Sequence, residues 1–235
     1  MSSTSRKVAP PGSVSTAQAS GRRLMIVFGT RPEAIKLAPV IRAARSHNDW
    51  QVRVVHSGQH RELVTPVLHA LELVPDAELD TMRKGSGLNA LTARLLGALE
   101  HQLADFQPDA VIVQGDTTTA MTGALAGFHR RVCVAHVEAG LRTDNLAAPF
   151  PEEANRQLIS RIASLHLAPT PGAAAALRRE CLPIPEVHVT GNTVVDALQW
   201  MVTPRSGRET KNDISSPFSF VPLRSVRPIE LPFGR

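Results

Sequence analysis

The chain has 235 residues, 43% of them hydrophobic, with a formal net charge of +5 and two cysteines, which suits one large domain or two small ones with a sizeable core. The basic excess lies at the ends. Residues 1–23 hold four basic and no acidic side chains, residues 203–235 hold six against three, and the body between carries −2, so no net positive charge steers the body onto a phosphate backbone. With no tyrosine and 4% aromatic residues, stacking platforms for single-stranded nucleic acid are scarce too, and no nucleic-acid partner is expected.

No run approaches the ~20 apolar residues of a bilayer span. The first 20 residues, rich in Ser, Ala and Pro, lack the apolar centre of a secretory signal. The expectations are a disordered leader over 1–22, no membrane partner and a cytoplasmic, reducing location. Cys133 and Cys181 form neither a CxxC nor a metal-like spacing, and Cys133 reads as a small buried hydrophobe.

From residue 23 the pattern becomes regular. Leu24–Phe28 is a continuous apolar run, as in a strand buried on both faces of a parallel sheet. Gly29-Thr30-Arg31-Pro32-Glu33 ends it with a capping-box spacing and a proline suited to a first helical turn, predicting a helix to about His47. Val52–His56 is the next strand, followed by a Ser57-Gly58-Gln59-His60 turn and a helix from about Glu62 to Leu71. Residues 74–88 read as loop. Leu91, Leu95, Leu99 and Leu103, four apart, line a long amphipathic helix to Phe106.

Ala110–Gln114 is another buried strand, and Gly115-Asp116-Thr117 leads from it into an Ala/Gly/Leu-rich helix ending near Arg130. The alternation of Val132, Val134, His136 and Glu138 predicts a strand that stops at Ala139-Gly140. Arg142 and Asp144 follow in the loop, and a proline-started helix to about Ile162 carries Glu152, Glu153 and Arg156 on its first turns. Leu165–Ala168 (strand), Gly172–Glu180 (helix), Val187–Val189 (strand) and a helix from Thr193 to about Met201 complete the series. Strand alternating with helix throughout predicts an α/β, doubly wound parallel sheet with right-handed crossovers. From Thr203 five prolines and scattered Ser and Arg erase the periodicity, so 203–235 reads as a disordered tail and 23–202 as the folded domain.

In such a sheet the C-terminal strand ends share one edge, where ligands bind. The residues that carry chemistry gather there. The stretch Val134–Arg156 reads as one wall of an active site, or as a solvated loop with surface ion pairs. Arg31, Lys36 and the amides at a helix start suit an oxyanion such as phosphate, although Lys36 equally suits snorkelling along its helix. Asp116 is either an ordinary cap or one of three carboxylates, with Glu138 and Glu152, converging on one crevice. Their mutual repulsion and burial would raise some of their pKa values and create an acid/base pair. His136 reads as a satisfied core histidine. No dinucleotide fingerprint, nucleotide P-loop or metal-ligand cluster is present, which favours proton transfer over metal-assisted hydrolysis.

The segments FGTRPEAIKLAPVI, SGQHRE, GDTTTAMTGALA, HVEAGLRT, PFPEEANR and VTGNTVVDAL, in this order and at these spacings, resemble the non-hydrolysing UDP-N-acetylglucosamine 2-epimerases of bacteria. The resemblance covers about residues 23–202. It implies a Rossmann-like N-terminal domain of a two-domain, glycosyltransferase-B-like fold with substrate held between the domains. It also implies an isomerase that interconverts UDP-N-acetylglucosamine and UDP-N-acetylmannosamine by elimination of UDP and re-addition, without cofactor or metal, serves cell-surface polysaccharide synthesis and is a homodimer at full length. By resemblance Asp116, Glu138 and Glu152 are catalytic, and Arg31, Lys36 and Arg156 meet substrate. Gln59 and Glu62 fall where some bacterial members bind a second, activating UDP-N-acetylglucosamine. The family's second half, with its diphosphate pocket and a GHRREN-like segment, has no match in 203–235, so the expectation is a truncated chain of little or no activity. The alternative is a non-catalytic module that binds a nucleotide sugar.

Overall fold

A computed structural model describes residues 21–180 and 186–202; the expected leader (to residue 20), the tail and Cys181 lie outside them. Seven strands alternate with seven helices: β1 (Arg22–Phe28), α1 (Arg31–Arg45), β2 (Trp50–His56), α2 (Arg61–Ala70), β3 (Ala77–Glu78), α3 (Leu88–Phe106), β4 (Ala110–Gln114), α4 (Thr118–His129), β5 (Cys133–Val137), α5 (Glu152–Ile162), β6 (Leu165–Ala168), α6 (Pro171–Arg179), β7 (Glu186–Val189) and α7 (Thr193–Val202). The strands form one sheet in the order β3-β2-β1-β4-β5-β6-β7, with parallel pairing throughout. This is the doubly wound, Rossmann-like α/β arrangement. The chain winds outward from β1 in one direction and restarts at β4 in the other, so the loops leaving β1 and β4 part company and open a crevice.

Side-chain alternation explains the two layers. Along β1, Leu24, Ile26 and Phe28 point into a core shared with Leu37, Ala38 and Ile41 of α1 and Val64 and Leu68 of α2. Met25 and Val27 point the other way, toward Leu99 and Leu103 of α3 and Ala120 and Ala124 of α4. A strand buried on both sides needs the unbroken apolar run that its sequence shows. The four-residue leucine stripe of α3 is buried at all four positions. The small residues of α4 let it lie close on the sheet: a Cβ at Gly123 would come within 3.1 Å of Val113, and one at Gly127 within 3.1 Å of Val134. That close seat holds the start of α4, and Thr117 that caps it, against the switch point.

Three local expectations change. The 74–88 segment holds the two-residue strand β3, paired with the end of β2, too short to leave a periodic signal. Glu138 is not the last residue of its strand: β5 ends at Val137, and Glu138 has φ +62°, a left-handed conformation that turns it out over the sheet edge. Cys133, at the start of β5, is half-buried rather than enclosed.

Candidate active site

The exits of β1, β4, β5 and β7 converge on one rim, and Glu138 lies where they meet. Lys36, at the second turn of α1, reaches both its carboxylate oxygens, with Nζ 2.8 Å from Oε1 and 2.6 Å from Oε2. Gln114, the last residue of β4 and 2% exposed, donates its side-chain amide to Oε2 at 2.5 Å. Asn192, in the loop after β7, donates to Oε1 at 3.2 Å while its own oxygen accepts from Val194 N at the start of α7. Glu138 is thus ringed by donors from three other elements, and both the carboxylate and Lys36 remain partly accessible.

Asp116 leaves the neighbouring strand through Gly115, whose φ of +70° is a turn that a side chain would strain. Arg156, from the second turn of α5, forms an ion pair with the Asp116 carboxylate, and Asn155 donates to the Asp116 carbonyl at 2.9 Å. Burial raises the pKa of Asp116; the Arg156 charge and hydrogen bond oppose that rise, and the negative charges of Glu152 and Glu138 add to it. Those last two influences bring the three expected carboxylates into one electrostatic neighbourhood. Glu152 is half-exposed on the first turn of α5, and among the described residues no hydrogen bond or ion pair holds it. The residue after it, Glu153, is 0% exposed and structural: it accepts from Thr143 N, Asp144 N and Gln157. Burial alone would raise its pKa, but those hydrogen bonds and Arg156 outweigh it and hold it below the ordinary value.

The two amides just ahead of α1 are already taken. Glu33, 1% exposed, fills that position with the chain's own carboxylate, accepting from Gly29 N (3.1 Å), Thr30 N (2.7 Å) and the Thr30 hydroxyl (2.7 Å) through one oxygen. Its other oxygen accepts from the Thr117 hydroxyl at 2.7 Å, which ties the β1 exit to the residue after Asp116. Arg31 stays exposed, with no hydrogen bond or ion pair among the described residues.

Gln59 stands farther along the rim, its side-chain oxygen accepting from Thr119 at 3.1 Å. Glu62 is exposed on α2, and nothing among the described residues joins it to the carboxylates. Arg142, expected in the active-site wall, turns inward instead. It is 5% exposed, bonded to Glu180 at 2.5 Å and to Ser160 at 2.8 Å, and it clamps the 139–151 loop to α5 and α6. His136 is a core residue as expected, 0% exposed, but only half satisfied, since its Nδ1 has no partner among the described residues.

Sequence reasoning passed over Gln114, Asn155 and Asn192, and saw Glu33 only as a capping residue, without its reach to Thr117. A polar residue ending a buried apolar strand was the available signal for Gln114, and a Gly-Asn pair ahead of a helix the signal for Asn192. Among the described residues no group of three or more His, Cys, Asp or Glu side chains could hold a metal ion, and no helix is long and apolar enough to cross a membrane.

Fold and site together define a Rossmann-like α/β unit with carboxylates and cations gathered at its switch point. The chain belongs to the UDP-N-acetylglucosamine 2-epimerase family, whose sequence profile matches residues 42–221. It is 49% identical over 179 residues to the UDP-N-acetylglucosamine 2-epimerase of Yersinia pestis, covering 76% of this chain and 48% of that protein. It is 42% identical over 200 residues to the Escherichia coli K12 enzyme, covering 85% and 53%. Among solved structures, the Neisseria meningitidis epimerase bound to UDP-GlcNAc superposes with a TM-score of 0.72 at 46% identity, over 76% of this chain and 49% of that one. The Methanocaldococcus jannaschii epimerase in complex with UDP-GlcNAc and UDP gives 0.70 at 40% identity, over 75% and 49%. The chain spans about half the length of the relatives it matches.

Proposed function

We propose that this chain supplies the acid/base wall of a site that inverts C2 of UDP-N-acetylglucosamine. The observation that carries this reading is the convergence of Asp116, Glu138 and Glu152 on one sheet edge beside Lys36 and Arg156. Removing a C2 proton of low acidity while a diphosphate departs needs a positioned base, a second group to return the proton from the opposite face, and cations already in place for the leaving charge. Asp116, its pKa raised by burial, and Glu138 and Glu152 fill the proton-transfer roles. Lys36, Arg156 and the exposed Arg31 meet the developing charge. Glu33 takes up the Gly29 and Thr30 amides just ahead of α1, and the cationic side chains supply the main contacts from this half. Gln59 and Glu62, away from the carboxylates, suit a second nucleotide-sugar molecule that activates the enzyme.

Matching only half the length of its relatives, the chain alone has little or no turnover. A homodimer belongs to the longer assembly. A binding module without catalysis is the second reading, favoured by the same half-length match. Saturation-transfer NMR with UDP-GlcNAc in heavy water tests both parts. The account expects transfer to the sugar protons, weakened by Lys36→Met, and no deuterium at C2 above the protein-free blank. Absence of any transfer overturns the site assignment. Deuterium at C2 that disappears with Glu138→Gln overturns the inactivity.

A further inference from the structure

The Gly115–Asp116 turn is gripped by more than the ion pair to Arg156. Gly115 N donates to Val137 O at 3.0 Å, and the Gly115 carbonyl lies 2.7 Å from Nε2 of His136. Because a carbonyl only accepts, that nitrogen carries the proton. His136 is 0% exposed and so cannot touch a substrate. It shares a sheet face with Val134, which packs with Ala120 and Ala124 of α4 and Ile159 of α5. Beside it, paired in register on β6, stands His166, its ring centroid 6.4 Å away in an edge-on contact. Among the described residues Nδ1 of His136 has no partner, so the ring's single hydrogen bond there is the one to the Asp116 turn.

We propose that His136 is a positioning residue for Asp116: as the Nε2–H tautomer it pins the Gly115 carbonyl and so aims the next residue's carboxylate into the crevice. An apolar side chain would fill the space equally well but leave that carbonyl unpaired, freeing the turn to swing toward solvent. Asn155 holds the following carbonyl from the α5 side, so the backbone on both flanks of the Asp116 Cα is fixed, from β5 and from α5. The groups facing the ring are His166 and the guanidinium charges of Arg142 and Arg156. All of them disfavour a protonated His136, and burial disfavours it most, so the ring acts as a neutral donor. This inference takes from the proposed function only that Asp116 belongs to the site; failure of nucleotide-sugar binding would remove that reading and leave the hydrogen bond to be judged by itself.

The test compares His136→Gln with His136→Asn in the full chain. Both are neutral amides, but only Gln places an N–H near the position of Nε2. The readout is the Asp116 carboxyl titration, followed by 13C NMR and assigned with Asp116→Asn. His136→Gln is expected to keep the wild-type titration. His136→Asn is expected to lower the Asp116 pKa toward the ordinary aspartate range as the turn gains solvent. A wild-type titration in the Asn variant, or an equal shift in both variants, overturns the proposal. Should neither variant fold, the imidazole 15N spectrum of the wild-type chain decides: an Nε2-bound proton on His136 at pH 7 supports it, and an Nδ1-bound proton overturns it.

Discussion

Acidifying this protein from pH 7 to pH 5 is predicted to cost about 4 kcal/mol of stability through two buried histidines. His136 and His166 are both 0% exposed. Burial is the main reason their pKa values fall, to about 3 for His136, where the Gly115 hydrogen bond opposes the fall, and to about 4 for His166, where Arg142 adds to it. An unfolded histidine titrates near ~6.5. Their stabilisation is therefore complete above that value and is lost as pH drops through it toward the folded values, because the unfolded chain takes up protons that the fold refuses. At pH 5 both rings are still neutral in the fold. Each then costs roughly 1.4 kcal/mol per unit over about 1.5 units, or about 2 kcal/mol. The variant that isolates one of them is His166→Phe. Among the described residues neither nitrogen of His166 has a partner, so the change removes a titration without breaking a hydrogen bond, and any misfit of the larger ring is the same at every pH. Urea unfolding of the two proteins at pH 7, 6 and 5 measures the effect. Asp116 and Glu33, whose raised pKa values give the opposite pH dependence, are common to both proteins and cancel in the difference. Wild type is expected to lose about 2 kcal/mol more than His166→Phe between pH 7 and pH 5. Equal losses would refute the reasoning.

Two further outcomes follow from the same geometry. Glu33→Gln can accept from Gly29 N and Thr30 N and donate to Thr117. Burial raises the Glu33 pKa, so ionised Glu33 weakens the fold as pH rises through that value, and the Gln variant should match or exceed wild type at pH 7 and lose its advantage in acid. Glu33→Ala, which strands the buried Gly29 amide and the half-buried Thr30 amide, should cost about 2–4 kcal/mol; urea midpoints that fall equally for Gln and Ala contradict the role given to Glu33. Arg142→Ala leaves Glu180 and Ser160 without their buried partner and should cost about 3 kcal/mol, with faster amide exchange across residues 139–151. Unchanged exchange there would show that the loop is held by other contacts.

Much of this architecture was legible because the parallel sheet forces its strands to be apolar throughout. The bounds of β4 and β6 coincide with Ala110–Gln114 and Leu165–Ala168, where buried runs end sharply at glycine or proline-led turns. The four-residue leucine spacing placed α3 and its end at Phe106 but missed its first residues, Leu88–Ala90. Strand β3 escaped notice because two residues cannot display a period. Alternation carried Glu138 into the strand because side-chain pattern is blind to backbone sign; its positive φ, which turns the carboxylate toward Lys36, is a tertiary result. Charge in a loop was a weaker guide: Arg142 and Glu153 looked like site residues by type and position, but each found a buried partner and became a strut. Pairings such as Lys36 with Glu138, 102 residues apart, arise from sheet order, which local sequence does not encode. Conversely, the capping spacing of Thr30 and Glu33 was visible, but not that Glu33 also reaches across the switch point to Thr117.

The central claim is that strand exits β4 and β5 place Asp116 and Glu138 against the same bound sugar nucleotide. Following both side-chain carboxyl 13C resonances while titrating the chain with UDP-GlcNAc tests it most directly. The account predicts that both resonances move along one common binding curve and that Lys36→Met weakens that curve for both. Two curves with different midpoints, or movement of neither resonance at saturating ligand, would contradict it.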